Sequence, residues 1–417
     1  MEENNMDKIR VGIFGYSRGS SYVDGFLQNG AEIVAVCEKR SDRVARAKEK
    51  LGENIAIYDN FDDFIEHDMD AVLLANFFHE HTPYAIRCLE KNIHVFSECL
   101  SNSTMAEGVQ LVEAAEKSSA IYMLAENYPY MLFNQEMKRV YEGGTLGKCL
   151  YAEGEYCHAN NPYNFSGLTD SLKHWRNNLP RTYYVTHSLA PIMFATGANP
   201  VRVTAMPVFC PVPTDAVTAS FAGDKAAIIT TLNDDKSVFK FTANAGWGAS
   251  DNSYRLCCLN GQIENLRGTD GRIMLRYNDW ALPEGAQTIN EYAPQWTGED
   301  ADLIQLSGHG GGDFCVIRAF CNAIRENKSH PFDVYFSTRL ASVAILGARS
   351  MLEFGVPYDI PDFRKKEDRD KYRDDHISPF YYSDGREPTM PCCSKQDFRP
   401  SEQQIENFTT RSNELPK

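Results

Sequence analysis

Ile9-Arg10-Val11-Gly12-Ile13-Phe14-Gly15-Tyr16-Ser17-Arg18-Gly19 is the stretch whose reading decides the fold. Its first half is an apolar run of strand-forming residues, the composition of a strand covered on both faces. Gly15 breaks the run, and residues 20–29 suit a helix. The pattern repeats downstream. Glu32–Cys37 reads as a second strand, and Arg40–Leu51 as a charged amphipathic helix stopped by Gly52. Asp70–Ala75, His94–Ser97 and Ile121–Ala125 read as further strands, separated by helices over Thr82–Lys91 and Thr104–Ser118. Strands alternating with helices at this spacing predict an α/β domain over residues 1–127, built on a doubly wound parallel sheet.

The pattern changes after Asn127. A helix over Phe133–Glu142 ends at Gly143-Gly144. Strands are then expected at Cys149–Tyr156, Val201–Pro207, Ala216–Phe221, Ala226–Leu232, Ser237–Ala245, Tyr254–Leu259 and Gly261–Leu266. Their Val, Thr and aromatic content, with turns such as Asn260-Gly261, predicts an open, largely antiparallel sheet. Helices over Asp313–Glu326 and Ser337–Phe354 complete an α+β domain, residues 128–361, expected to bind substrate and to pair subunits. Residues 362–417 are charged, then rich in Pro, Ser and Asp. They are expected to form an extended tail over the surface.

At 417 residues the chain has room for two or three domains. A net charge of −15 disfavours nucleic acid and anionic membranes, which need basic surface. No apolar run approaches the ~20 residues of a membrane span. Met1-Glu2-Glu3-Asn4-Asn5 is acidic and polar, so a cytoplasmic protein is expected. The twelve cysteines are scattered and lack C-x-x-C spacing, which favours reduced thiols over disulfides or metal ligands. His158, His309 and the scattered acids lack metal-ligand spacing, so no metal is expected.

The first strand-to-helix turn carries a nucleotide signature. Gly12 and Gly15 let the backbone approach a pyrophosphate, although Ser17 and Ser20 occupy the second and third glycine places of G-x-G-x-x-G. Glu38 ends the second strand about 20 residues on, where an acid hydrogen-bonds the ribose 2′-hydroxyl of NAD. A carboxylate there repels a 2′-phosphate, favouring NAD over NADP. Lys39 and Arg40 beside it are the groups that would accept such a phosphate. A dinucleotide-binding Rossmann domain follows.

Asp70-Ala-Val-Leu-Leu-Ala75, His79-Glu80-His81 and Ile93-His94-Val95-Phe96-Ser97-Glu98, in that order, resemble the Gfo/Idh/MocA oxidoreductases. A finer resemblance is to their NAD-dependent glycosidase branch, typified by α-N-acetylgalactosaminidases. It rests on Glu126-Asn127, Gly154-Glu155-Tyr156-Cys157-His158, Trp175-Arg176, Tyr184-Val185-Thr186-His187-Ser188-Leu189-Ala190-Pro191, Gly308-His309-Gly310-Gly311 and Phe332-Asp333-Val334-Tyr335. Cys99 stands where the wider family carries the lysine of Glu-Lys-Pro, and Phe78 where the branch carries Trp. The resemblance implies an NAD site lined by Arg18, Gly19, Glu38, His81, Glu98, Cys99 and Asn127. Gly12, Gly15, Ser17 and Asn76 join it as cofactor-binding candidates. Tyr156 and Arg176 are implied to bind a sugar, and Tyr184 and His187 to face it. A homo-oligomer, dimer or tetramer, is implied through the second sheet.

Oxidation of a sugar carbinol needs a base for the hydroxyl proton, and His187 or Tyr184 fills that role. Histidine titrates near ~6.5, whereas a phenol near ~10 needs a neighbouring positive charge. Arg176 offers that charge, or a hydrogen bond to substrate. Tyr-x-x-His places both rings on one face if a helix begins there, whereas Pro191 also suits a cap or loop. The branch implies a redox-neutral cycle: oxidation at C3, loss of the acidified C2 proton, expulsion of the aglycone, addition of water and return of the hydride. Net dehydrogenation of a sugar or cyclitol, or a non-catalytic nucleotide-binding sensor, are the other readings. His158 and His309 read as a second shell or loop caps, and no base is apparent beside the Cys99 thiol.

Overall fold

Short apolar runs separated by helices satisfy their backbones in a sheet covered on both faces. The computed structural model, which describes residues 8–328 and 330–415, builds that sheet. Its strands are β1 (Ile9–Phe14), β2 (Ala31–Cys37), β3 (Ala56–Tyr58), β4 (Ala71–Leu74), β5 (His94–Ser97) and β6 (Tyr122–Leu124). They lie in the order β3-β2-β1-β4-β5-β6, all parallel. The order reverses between β1 and β4, which opens a crevice at their carboxyl ends. Gly15 sits there with φ +92°, and an added Cβ would lie 2.6 Å from the Ala75 carbonyl oxygen. Only glycine lets the turn cross the exit of β4 so closely.

The helix expected over residues 20–29 begins earlier and is broken. Single turns at Tyr16–Gly19 and Ser20–Tyr22 lead into a helix at Val23–Gln28. The edge strand β3 was not expected, because three half-buried residues leave no periodic signal.

The second sheet comprises β7 (Cys149–Cys157), β8 (Pro200–Phe209), β9 (Asp224–Asn233), β10 (Val238–Ala245), β11 (Asp251–Cys258), β12 (Gly261–Asn265), β13 (Ile273–Tyr277), β14 (Ile289–Tyr292) and β15 (Tyr358–Asp359). Its order is β14-β13-β12-β11-β7-β10-β9-β8-β15, antiparallel except for the parallel pair β7 and β10. The expected strand Ala216–Phe221 does not form. Its amides pair with loops instead: Val217 donates to Pro162 O at 3.1 Å and Phe221 to Asn177 O at 2.7 Å. The Asn407 amide takes the Ala216 carbonyl at 3.2 Å.

Helix Val334–Leu352 joins the sheets, packing on β8, on β6 and on helix Met105–Lys117. Asp333 caps it, accepting from the Phe336 amide at 2.8 Å. Beyond it the chain crosses the body again. Asp375 takes both guanidinium nitrogens of Arg349 at 2.7 and 2.6 Å. Phe380 is wedged against Phe78 and Tyr183, with ring centroids at 5.2 and 5.1 Å. The His79 ring donates through Nε2 to Tyr381 O at 2.9 Å, and the Ser383 amide donates to Glu80 at 2.6 Å. A last helix, Glu402–Asn413, is held by a capping box between Ser401 and Gln404. Among the described residues no helix is long and apolar enough to cross a membrane, and no group of three His, Cys, Asp or Glu gathers to hold a metal ion.

Candidate active site

A cleft of about 850 Å³ opens at the carboxyl ends of the parallel strands and is closed by residues from the second half of the chain. Gly15, Ser17, Arg18, Glu38, Asn76, His81, Glu98, Cys99 and Asn127 line one wall, and Tyr156, Arg176, Tyr184 and His187 another. Gly12 and Gly19 are not among the lining residues. A Cβ on Gly12 would meet Met69 Sδ at 2.5 Å, and one on Gly19 would meet Ile13 at 2.5 Å. Both glycines allow close packing of neighbouring side chains against the strand and the turn.

The first of these walls is built from strand exits. Glu38 leaves β2 with its carboxylate accepting the backbone amides of Tyr16, Lys39 and Arg40 at 3.1, 2.9 and 3.0 Å. The buried Oδ1 of Asn76 has no hydrogen-bond partner among the described residues. His81 ties two exits together, with Nδ1 3.0 Å from Glu98 O and Nε2 3.2 Å from Asn76 O. Burial lowers the pKa of this ring, and in its neutral form it donates to one of these two carbonyls at a time. Glu98 accepts from Arg18 Nε at 2.5 Å and from the Tyr22 hydroxyl at 2.6 Å. Burial pushes its pKa up, but Arg18, the Tyr22 hydroxyl and the Cys99 amide together outweigh that and hold the carboxyl below the usual range.

The opposite wall depends on helix Thr186–Thr196, which carries Pro191 in its interior. Proline cannot donate to the carbonyl four residues back, that of His187. The Tyr254 hydroxyl from β11 donates to that carbonyl instead. The helix presses on β7 at Gly154, where a Cβ would stand 2.1 Å from Ser188 O. His187 therefore sits in the first helical turn, and Tyr184 ends the preceding turn, Arg181–Tyr184. Their rings meet edge-on at 5.1 Å.

Glu126 leaves β6 wholly buried, with its carboxylate turned to His187: Nδ1 lies 2.9 and 3.2 Å from the two oxygens. The same carboxylate accepts the Tyr128 amide at 3.1 Å and the Cys99 thiol at 3.1 Å. Burial raises its pKa, yet His187 and the other donors hold it below the ordinary value. Nδ1 is thus the donor, and Nε2 is left as the base edge. Tyr128 stacks on the His187 ring at 4.0 Å, and Tyr156 meets it edge-on at 4.9 Å. Tyr156 and Tyr184 stack at 5.6 Å. Burial raises the Tyr184 phenol above its ordinary pKa despite the opposing charge of Arg176, whose guanidinium lies 4.2 Å from the Trp175 ring centroid. Burial and the carboxylates Glu126 and Glu98 push the Cys99 thiol well up, so it is no thiolate nucleophile.

Sequence reasoning assigned no role to Glu126, Tyr128, His174 or Ser383, all close to or lining the cleft. Glu126 had a signal, a lone acid directly after the apolar run Ile121–Ala125. His174 and Ser383 reach the cleft from long loops and left none. His158 is exposed at the end of β7. His309 lines the cleft and is bound to Asp313 at 2.9 Å.

Residues 9–126 match the oxidoreductase family with an NAD-binding Rossmann fold (GFO_IDH_MocA), and residues 276–369 match the glycosyl hydrolase 109 C-terminal domain. A glycosyl hydrolase family 109 protein of Saccharopolyspora erythraea is 25% identical over 399 residues, covering 86% of this chain and 84% of the relative. A levoglucosan dehydrogenase in complex with NADH and levoglucosan superposes with a TM-score of 0.71 at 16% identity, over 85% of this chain and all of that one. An oxidoreductase from Agrobacterium radiobacter in complex with NAD+, L-tartaric acid and magnesium gives 0.67 at 12% identity, over 84% and 98%. At these identities the solved structures speak for the fold.

Proposed function

We propose that this chain, a Gfo/Idh/MocA-type NAD-binding protein with a glycosyl hydrolase 109 C-terminal domain, cleaves a glycoside by transient oxidation of its sugar. The observation that carries the reading is the buried Glu126–His187 pair, which stands beside Cys99, where the wider family would carry its lysine. The acid/base group has moved from the nucleotide wall to the opposite wall.

The residues present fit NAD. Gly15 and Ser17 line the cleft at the first strand-to-helix turn, Asn76 offers an unpaired buried oxygen, and Glu38 ends β2 where a ribose diol is recognised. When bound, NAD supplies an acceptor for the hydride of a carbinol carbon and later returns it. His187 takes the hydroxyl proton at Nε2 while Glu126 steadies the charge developing on the ring. Tyr156, Tyr184 and Trp175 present aromatic faces to the pyranose, and Arg176 donates to its hydroxyls. No pair of opposed catalytic carboxylates is needed.

The test is turnover in deuterated water. Deuterium at C2 of the released sugar, with no net accumulation of NADH, supports the proposal. Stoichiometric NADH with no aglycone release and no C2 exchange sinks it in favour of a dehydrogenase. We also propose a homo-oligomer: Leu150, Met206 and Leu232 are exposed on β7, β8 and β9 beside buried neighbours. Sedimentation at the monomer mass would remove that part.

A further inference from the structure

We propose that His309 clamps the diphosphate of the dinucleotide from the second half of the chain, as a positioning residue. The inference rests on the NAD reading above and adds a contact that the glycine turn cannot supply alone.

That turn is poorly equipped for an anion. Serines stand at two of its three glycine places, and the helical segment behind it is broken after one turn, which leaves no long helix dipole behind the site. Arg18 lines the cleft, but its charge is already given to Glu98 at 2.5 Å. Asp313 stands 4.0 Å from the same guanidinium. Two carboxylates thus face one guanidinium beside the place where a diphosphate must lie. Arg18, Glu98 and Asp313 together carry a net negative charge, so a further cation at this point of the wall favours the ligand.

His309 is presented by Gly308-His309-Gly310-Gly311-Gly312. His309, Gly310 and Gly311 are all left-handed, with φ of +52°, +60° and +100°. Glycine is required on both sides of His309, because a Cβ on Gly308 would stand 2.2 Å from Asp313 Oδ2, and one on Gly312 would stand 2.6 Å from Asn127 O. Asp313 Oδ2 lies 2.9 Å from His309 Nδ1, while its Oδ1 accepts from Asn127 Nδ2 at 2.5 Å. Nε2 has no partner among the described residues, and the residue borders the same cleft as Ser17 and Arg18. Tyr128 stands between the two histidines, 5.8 Å from His309 and stacked on His187 at 4.0 Å. Through Asp313, His309 is tied to Asn127 and stands near Arg18, both residues of the wall built from the strand exits. The charged groups facing it are Asp313 from its own helix and Arg18 and Glu98 from the parallel-sheet side. The hydrogen bond to Asp313 outweighs burial and holds the ring above the usual imidazole range, so the proton is available near neutrality.

The experiment is calorimetric titration of NAD, ADP-ribose and adenosine into the full chain, freed of copurified nucleotide, and into His309→Asn. Asparagine tolerates the left-handed backbone. NAD and ADP-ribose should weaken roughly 10- to 100-fold, the loss of one charge-assisted hydrogen bond, and adenosine should not change. The unmodified chain should also lose NAD affinity as pH rises from about 6 to about 9, a slope that vanishes in His309→Asn. Unchanged NAD affinity, an equal pH slope in both proteins, or equal weakening of adenosine overturns the clamp. Failure of the unmodified chain to bind NAD at all overturns the NAD reading as well, and so separates the two.

Discussion

Glu126→Gln isolates the chemistry of the buried pair. Glu126 is wholly buried, and both oxygens lie within 3.2 Å of His187 Nδ1. As His187 gains a proton at Nε2, positive charge develops against that carboxylate. Losing one charge-assisted hydrogen bond costs about 1.5–3 kcal/mol, or about 10- to 150-fold in rate. The amide adds a second penalty where its NH2 turns to Nδ1, because the ring then carries its proton at Nε2 and cannot act as a base. The wrong tautomer of a comparable carboxylate–histidine pair costs about 10⁴ in kcat. We expect kcat for aglycone release to fall between about 10²- and 10⁴-fold with KM little changed, measured on an aryl glycoside substrate with NAD present. Glu126→Gln combined with His187→Asn should be no slower than His187→Asn alone, since the pair acts as one unit. A folded Glu126→Gln protein within about threefold of full kcat, or additive losses in the double variant, would refute the assignment.

Other outcomes follow from the same contacts. Glu38→Ser removes the carboxylate from the end of β2 and leaves Lys39 and Arg40, so NAD affinity should fall about tenfold while NADP gains, read by fluorescence titration of both. Phe380→Ala empties the buried space between Phe78 and Tyr183 and should cost about 3–5 kcal/mol in denaturant unfolding; a loss below about 1 kcal/mol would mean that the segment around Phe380 is only loosely seated. Burial pushes His79 down to about 3, because its Nδ1 is buried without a partner. Between pH ~3 and the unfolded value of ~6.5 the unfolded chain binds the extra proton, so stability rises with pH there, by up to ~1.36 kcal/mol per unit, and is lost on acidification. His79→Gln keeps a donor for Tyr381 O and should flatten that slope in melts at about pH 5 and 7.

Much of the parallel sheet was legible because each strand is a short apolar run with a glycine, an acid or a cap at its end. Thr104 with Glu107 is such a signal, a capping box that starts its helix as expected. The mixed sheet was less legible. Ala216–Phe221 has strand composition, but its amides face loops and no neighbouring strand reaches it. β13 and β14 are short and lie toward one edge of the sheet, where exposure dilutes the alternation. In the cleft, the lining residues at strand exits could be found by position along the fold. The pairing of Glu126 with His187 could not, since 61 residues separate them and no local pattern links a strand exit to a helix start. Gly12 and Gly19 are legible only as glycines, since glycine at a turn looks alike whether a phosphate or a neighbouring side chain needs the space.

The strap from Ser378 to Met390 has a consequence for the order in which the molecule is made. Ser383 borders the cleft, Tyr382 hydrogen-bonds Ser103 at 2.8 Å and Phe380 fills the space behind Phe78. These residues leave the ribosome after every strand of both sheets. A nascent chain can complete its two sheets and still have an unfinished cleft, with the loop Phe77–His81 lacking its backing. Capture of the nucleotide is then a late event of biogenesis, coupled to the seating of a segment that belongs to neither sheet. A released chain ending shortly before Ser378 would hold every strand of both sheets and lack the segment that backs the cleft.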